Sequence, residues 1–297
     1  MKNLTAIYWI KNETPYLPEW IEFHLIQGFD YFILYDNESN DGLYDIMKPY
    51  LDQKILEIRK YPEHLKNSNT ARNYWAMEYC IQEQREKSKW IHFHAIDEFT
   101  YCPDGRKVSE LLKEFEQFGG LAVNWKLFGT NGHIEKPEGL VIENYTKRLK
   151  YDRYLHVKTI IQPEKTHPKV ANAHWFYTDT VDENYNPVQG PFNVYSENLP
   201  FMQLPKIYKD PIQYTFNKIA NNHYITKSQK EFDEKYNKGV LDAGANNENV
   251  KRRIEDAYDN FPNDENAKFN GGWVEDTDIL KFCRDIKINI KNRYDKE

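Results

Sequence analysis

Apolar positions along the first 130 residues fall into two alternating periods. The run LTAIYWI at 4–10 is continuous and β-rich. Helical spacing follows, with Leu17, Trp20, Ile21, His24 and Leu25 on one stripe and Pro18 in the first turn. YFILYDN at 31–37 reads as the next strand, 38–41 as a polar turn, and 43–51 as a helix. The unit then repeats with KILEIRKY at 54–61, a long helix over 69–87, and KWIHFHAI at 89–96 running into Asp97 and Glu98. Four β/α alternations in a hundred residues predict an α/β fold, with a mostly parallel sheet, helices on its faces and right-handed crossovers.

Val108, Leu111, Leu112 and Phe115 continue the pattern as a helix over 108–118. Gly119 and Gly120 stop it before the strand LAVNWKLF at 121–128. From 129 to about 222, prolines at 137, 163, 168, 187, 191, 200, 205 and 211 break any long element, so this stretch reads as loop-rich and suited to binding. A helix resumes at Ser228, with Phe232 and Tyr236 four apart, and the polar tail predicts helical segments over 249–259 and 276–290. The chain therefore divides into 1–239, made of a core half (1–128) and a loop-rich half (129–239), and a mainly helical extension at 240–297.

Composition narrows the class. The chain has 297 residues, of which 40% are hydrophobic and 15% aromatic, enough for a real core and incompatible with disorder. With 46 acidic against 40 basic side chains the formal charge is −6, which argues against a broad nucleic-acid surface. No apolar run approaches the ~20 residues that cross a bilayer, and Lys11, Asn12 and Glu13 interrupt the first one, so no transmembrane segment and no export signal are expected. Cys80, Cys102 and Cys283 lie far apart with no CxxC spacing, which suits a cytoplasmic protein without structural zinc.

Ligands of an open parallel sheet bind beyond the carboxyl ends of its strands. Those ends read Lys11-Asn12-Glu13, then Asp36-Asn37-Glu38-Ser39-Asn40-Asp41, then Asp97-Glu98. The phosphate loops GxGxxG and GxxxxGK are both absent, so carboxylates holding a divalent ion around a nucleotide diphosphate are the economical reading. Hydrolase chemistry is disfavoured because HxHxDH clusters and GxSxG are missing. His92 and His94 alternate along one strand and are more simply core residues than ligands.

Four segments occur in order: KNETPYLPEWIEFHLIQGFDYFILYDNESND, WIHFHAIDEF, NWKLFGTNGH and NNHYITKSQKEFDEKYNKG. Together they resemble glycosyltransferase family 92 and its bacterial and viral relatives, over about residues 5–239. The resemblance implies a GT-A fold and an inverting, metal-dependent transfer of a sugar from a nucleotide-diphosphate sugar donor to a glycan or other saccharide acceptor. The core half would then hold the donor and the loop-rich half the acceptor. It also implies Mn²⁺ or Mg²⁺ on an Asp-x-Asp motif, which here reads Ala95-Ile96-Asp97. The second carboxylate is present and the first is replaced by alanine, either because the lineage diverged or because an aspartate was changed. A sugar-nucleotide or glycan-binding protein without turnover is the alternative.

On this resemblance Asp97 and His223 are expected metal ligands, with His174 the runner-up, while Lys227 pairs with the leaving phosphates. Asn12, Glu13, Asp36, Arg72 and the Ala95 position fall to the nucleotide sugar. Trp125, Gly129 and His133 fall to the acceptor, Gly129 by permitting close backbone approach and Trp125 by offering a stacking face. An inverting transfer needs one base. Glu143 is the expected one, with Asp152, Asp179 and Asp182 behind it.

Overall fold

The computed structural model describes residues 1–61, 71–150, 157–170, 173–174, 176–186, 216–237 and 273–295. Strand β1 (Lys2–Ile10) leads into α1 (Leu17–Ile26), β2 (Tyr31–Asp36), α2 (Leu43–Asp52), β3 (Leu56–Lys60), α3 (Ala71–Gln84) and β4 (Ser88–Phe93). Gly28, at φ +86°, ends α1 in a conformation that an L side chain adopts only with strain. Beyond β4 come β5 (Glu98–Tyr101), α4 (Val108–Leu111), β6 (Gly120–Leu127), α5 (Val141–Asn144), β7 (Lys147–Leu149), β8 (Val157–Ile161) and β9 (Thr180–Val181). Last are β10 (Ala220–His223), α6 (Gln229–Asn237), β11 (Trp273–Glu275) and α7 (Cys283–Tyr294).

Among the described residues the large sheet has the order β3-β2-β1-β4-β8-β6-β10-β5, with β9 on β6. β1, β2, β3 and β4 run parallel, and β10 and β9 run parallel to β6. This is the helix-flanked, mostly parallel α/β architecture that the β/α alternation and the GT-A resemblance lead one to expect. One departure matters for the site. The strand expected at 121–128 forms, but β8 lies antiparallel between it and β4, at Ile91↔Ile161 and Leu121↔Ile160. The 108–118 helix is also shorter than its apolar spacing suggests: α4 tightens into a 3-10 turn at Leu112–Phe115 that buries Leu112 and Phe115.

The period-2 alternation of each strand divides the core in two. Leu4, Ala6, Phe32, Leu34 and Trp90 face α1 and α7, whereas Ile7, Ile33, Tyr35, Ile91 and Phe93 face Met77, Cys80 and Ile81 of α3. Trp20 of α1 is fully buried, and its indole N–H reaches the carbonyls of Ala95 (2.9 Å) and Glu98 (3.1 Å), so α1 fixes the turn that follows β4. His92 and His94 share the α1 face with His24, with ring centroids 4.2 Å (His92–His94) and 4.4 Å (His24–His94) apart. All three are buried, and both nitrogens of His92 lack a hydrogen-bond partner among the described residues. Burial drives all three imidazoles toward the neutral form, His24 down to about 3.

The 273–295 segment packs into this same core, with Ile279, Phe282 and Ile286 buried. Ion pairs anchor it. Asp276 accepts from Lys126 of β6 (2.9 Å) and Arg148 of β7 (2.6 Å), and Arg293 reaches the buried Glu22 of α1 at 2.7 Å. The expected 276–290 helix thus exists as α7 and the 3-10 turn before it, while 249–259 and the 239/240 division lie outside the described residues. No helix among the described residues is long and apolar enough to cross a membrane.

Candidate functional site

Strand order reverses between β1 and β4. β1 continues outward through β2 and β3, whereas α3 brings the chain back to the other side of β1. A crevice opens at such a point beyond the carboxyl ends of the strands. Lys11-Asn12-Glu13 leaves β1 there, and the turn from His94 to Asp97 leaves β4 there, closed by Glu98 N–H donating to Ala95 O at 3.1 Å. β10 runs parallel to β6 and delivers His223 alongside Leu127.

Asp97 is the centre. One carboxylate oxygen, Oδ1, lies 3.5 Å from His223 Nε2, and the other, Oδ2, accepts from Lys235 Nζ of α6 at 2.6 Å. Burial works to raise this carboxyl, yet Lys235, His223 and Lys227 hold it well below the usual carboxylate range. The Trp125 ring packs on His223 at 4.3 Å and on His174 at 5.0 Å, with the Lys158 ammonium 5.9 Å from its centroid. Lys158 in turn lies 3.7 Å from the buried Glu98, whose other oxygen accepts from Ala95 N–H at 3.1 Å.

Beside this centre, Lys227 Nζ stands 3.6 Å over the Tyr16 ring and 3.9 Å from Glu13 Oε2. Its backbone is held at φ +50°, a left-handed conformation that costs a lysine strain and clusters at working sites. Lys136 approaches the same ring at 4.1 Å. Tyr16 O–H donates to Glu231, and Glu231 closes a capping box with Ser228: Ser228 N–H donates to Oε2 at 3.1 Å, and Glu231 N–H donates to Ser228 Oγ at 3.3 Å. The box fixes the start of α6. It therefore fixes Lys235, one helical turn further on and on the same face as Glu231.

The structure brings Asp97, His223, Trp125, Lys227 and Glu13 together, with Ala95 in the turn beside them. Asn12 and Asp36 sit at the neighbouring strand ends with their oxygens taken by the backbone: Asn12 Oδ1 joins the two loops by accepting from Asn40 N–H, and Asp36 Oδ1 closes its own turn by accepting from Ser39 N–H, both at 2.9 Å. Gly129 is dictated by packing, since a Cβ there would stand 2.5 Å from the Trp273 ring. His133 pairs with the Asn144 carbonyl at 3.2 Å. Glu143 accepts from Leu140 N–H (3.0 Å) and pairs with Lys287 (2.6 Å), so its carboxylate is built into the start of α5 and the seam with α7. Asp182 closes its own turn onto Asn184 and Asn186, Asp179 is exposed, and Asp152 and the Arg72 side chain lie outside the described residues. His174 Nδ1 donates to the Val157 carbonyl at 2.9 Å, which orients the ring.

The residues at Asp97 fall short of a resident divalent-metal site. Ala95 supplies no carboxylate, and Lys235 takes one oxygen of Asp97. A ligating imidazole donates its second N–H to an acceptor, whereas the buried Nδ1 of His223 meets none among the described residues. No group of three or more His, Cys, Asp or Glu side chains among the described residues is placed to hold an ion.

Lys235, Lys158, Tyr16 and Glu231 escape sequence reasoning because each has the composition of an ordinary surface or core position. Within the helix read from Ser228 onward, the S-x-x-E spacing of Ser228 and Glu231 is a signal that could have singled out Glu231.

The model of glycosyltransferase family 92 matches residues 4–260. A glycosyltransferase family 92 protein of Oryza sativa subsp. japonica is 27% identical over 173 residues, covering 57% of this chain and 28% of that protein. A galactan β-1,4-galactosyltransferase of Arabidopsis thaliana is 22% identical over 110 residues, covering 35% of this chain and 21% of that protein. The chain thus spans less than a third of the length of these relatives. Among solved structures, residues 1–349 of TarS from S. aureus align with a TM-score of 0.37 and 13% identity, over 58% of this chain and 52% of that one.

Proposed function

Because the chain belongs to glycosyltransferase family 92, we propose that it transfers a sugar from a nucleotide-diphosphate donor to a saccharide acceptor, with inversion at the anomeric carbon. The observation that carries this reading is the convergence of Asp97, His223, Lys227 and Trp125 at the strand-order reversal. A crevice at that place takes a nucleotide, and ammonium groups suit a diphosphate. The relative that acts as a galactan β-1,4-galactosyltransferase supports a hexose donor and a β-linked product.

In this reading the acceptor oxygen attacks the anomeric carbon from the face opposite the diphosphate. A new C–O bond forms as the bond to the β-phosphate oxygen breaks, and the electron pair leaves with the nucleoside diphosphate. The acceptor proton goes to a base on the acceptor side. Glu143 is committed to α5 and Lys287, whereas His174 packs on Trp125 with its ring oriented by the Val157 carbonyl, and we assign the base to His174. Lys227 answers the charge that develops on the leaving group.

Ala95 favours a second reading, a protein that binds sugar nucleotides without turning them over. One experiment separates the two. A thermal-shift panel of nucleoside diphosphates and their sugars identifies the donor, and NMR of the same mixtures with oligosaccharide acceptors reports a new anomeric signal. Stabilisation with a new β-anomeric resonance is expected. Stabilisation alone selects the binding protein, and no stabilisation by any nucleotide refutes both.

A further inference from the structure

We propose that this chain holds the diphosphate of its donor without a divalent cation, the Lys235 ammonium on Asp97 together with Lys227 standing where the ion would act. This rests on the donor reading above and names how that same site meets the phosphates. The first observation is geometric. Lys235 Nζ lies 2.6 Å from Asp97 Oδ2, and its side chain remains 40% exposed although Asp97 is buried. The lysine therefore brings a positive charge from the surface of α6 onto the one carboxylate of the motif.

The second observation is charge balance. Two aspartates around a divalent ion make a neutral locus. Replacing one aspartate by Ala95 and the ion by one ammonium on Asp97 makes a neutral locus as well. Ala95 and Lys235 are thus matched to each other, and a divalent ion added to this arrangement would leave it two charges more positive, with Lys235 beside it. Lys227 adds a second ammonium at the rim, held between Tyr16 and Glu13 by a strained backbone. Charge-assisted N–H···O bonds from two lysines suit phosphate oxygens, and lysine acts on phosphate as a point charge. His223 then needs no acceptor for a second N–H, since it packs on Trp125 and faces Asp97 as a polar neighbour and not as a ligand.

The test is calorimetry of the full chain with UDP, and with GDP, CDP and ADP in parallel, in EDTA and in Mn²⁺. Expected is one nucleoside diphosphate whose Kd agrees within about threefold between the two buffers. Lys235→Met should weaken it by about tenfold or more in both, and Lys235→Arg should restore most of the loss. Should Lys235→Met fail to fold because Asp97 is left buried and unpaired, the charge-balanced Lys235→Met/Asp97→Asn protein carries the same measurement. In addition, the electron paramagnetic resonance signal of Mn²⁺ should keep its free-ion intensity when the protein alone is added. A more than tenfold loss of affinity in EDTA, or a bound Mn²⁺ signal, overturns the inference and leaves the glycosyltransferase reading standing. Equal affinity of the Lys235→Met and unchanged proteins overturns the role of Lys235. Failure of every nucleoside diphosphate in both buffers overturns the donor reading, and the inference with it.

Discussion

Acidification from pH 7 to pH 5 should destabilise this protein by an amount readable from its three core histidines. His24, His92 and His94 are buried together and held neutral, whereas an unfolded imidazole binds a proton below about 6.5. Folded-state affinity for protons is depressed, so their stabilisation is full above that value and falls as pH drops. Over this interval each histidine costs about 1.9 kcal/mol, and the three together about 6 kcal/mol. One group opposes them. Glu19 is buried beneath α5 and, although it accepts from Val141 and Ile142 N–H, burial raises its carboxyl to about 7. Protonation of folded Glu19 returns about 2 kcal/mol over the same interval, leaving a net loss of about 3–4 kcal/mol. Asp97, Glu231 and Asp276 are shifted downward, so their contribution is lost only as pH falls through the carboxylate range below this window. Urea unfolding followed by tryptophan fluorescence at pH 7, 6 and 5 measures the loss. His92→Phe should reduce it by about 2 kcal/mol, and Glu19→Gln should deepen it toward about 6 kcal/mol. A stability constant to within about 1 kcal/mol across the interval, or a His92→Phe protein with an undiminished loss, would show that the buried imidazoles do not set the acid response.

Asp276→Ala should lower stability by about 3–5 kcal/mol and the melting temperature by ~6–10 °C, because Lys126 and Arg148 then lose the buried carboxylate between them, which the exposed Asp278, 3.8 Å from Lys126, does not replace. The Lys126→Met/Asp276→Leu pair should come back to within about 2 kcal/mol, and scanning calorimetry compares the two. His174→Gln should reduce the chemical step about 10² to 10⁴-fold in single-turnover assays while nucleoside-diphosphate affinity stays unchanged; equal losses in both would remove His174 as the base. Ala95→Asp restores the second carboxylate beside Asp97, and Mn²⁺ should then strengthen nucleoside-diphosphate binding about tenfold or more, a response that calorimetry should not find in the unsubstituted chain.

β1 to β4 are legible in the sequence because β1, β2 and β4 alternate between two buried faces and β3 between Leu56/Ile58 and Glu57/Arg59, and a helix of recognisable period separates each from the next. β8 is a five-residue buried run set among prolines, and its place between β4 and β6 depends on pairing alone. β10 is harder still: Ala-Asn-Asn-His carries no hydrophobic signal, although all four residues are buried. β5 begins at Glu98, where a buried glutamate reads as the end of an acidic cluster. In the crevice, the grouping of Asp97, His223 and Lys227 is legible through two segments of an ordered set of motifs, whatever each residue does there. Lys235 is not, since a lysine on a polar helix resembles any solvated charge until the fold lays it on a carboxylate from the opposite half of the chain. Glu143 shows the converse, an acid in a suggestive position that three-dimensional packing commits to a helix start.

The pairing of Asp97 with Lys235 also sets a clock on biosynthesis. The two residues are 138 positions apart. At about 5–20 residues per second, a ribosome needs roughly 7–28 s to deliver the lysine after the aspartate. During that time the β1–β4 wedge carries a carboxylate destined for burial with no counter-charge, and the Trp90-to-Phe93 edge of β4 waits for β8 to cover it. Such an edge is the kind that recruits other chains. A nascent polypeptide therefore has no finished crevice to offer, and its greatest exposure to misassembly falls before the loop-rich half has left the ribosome.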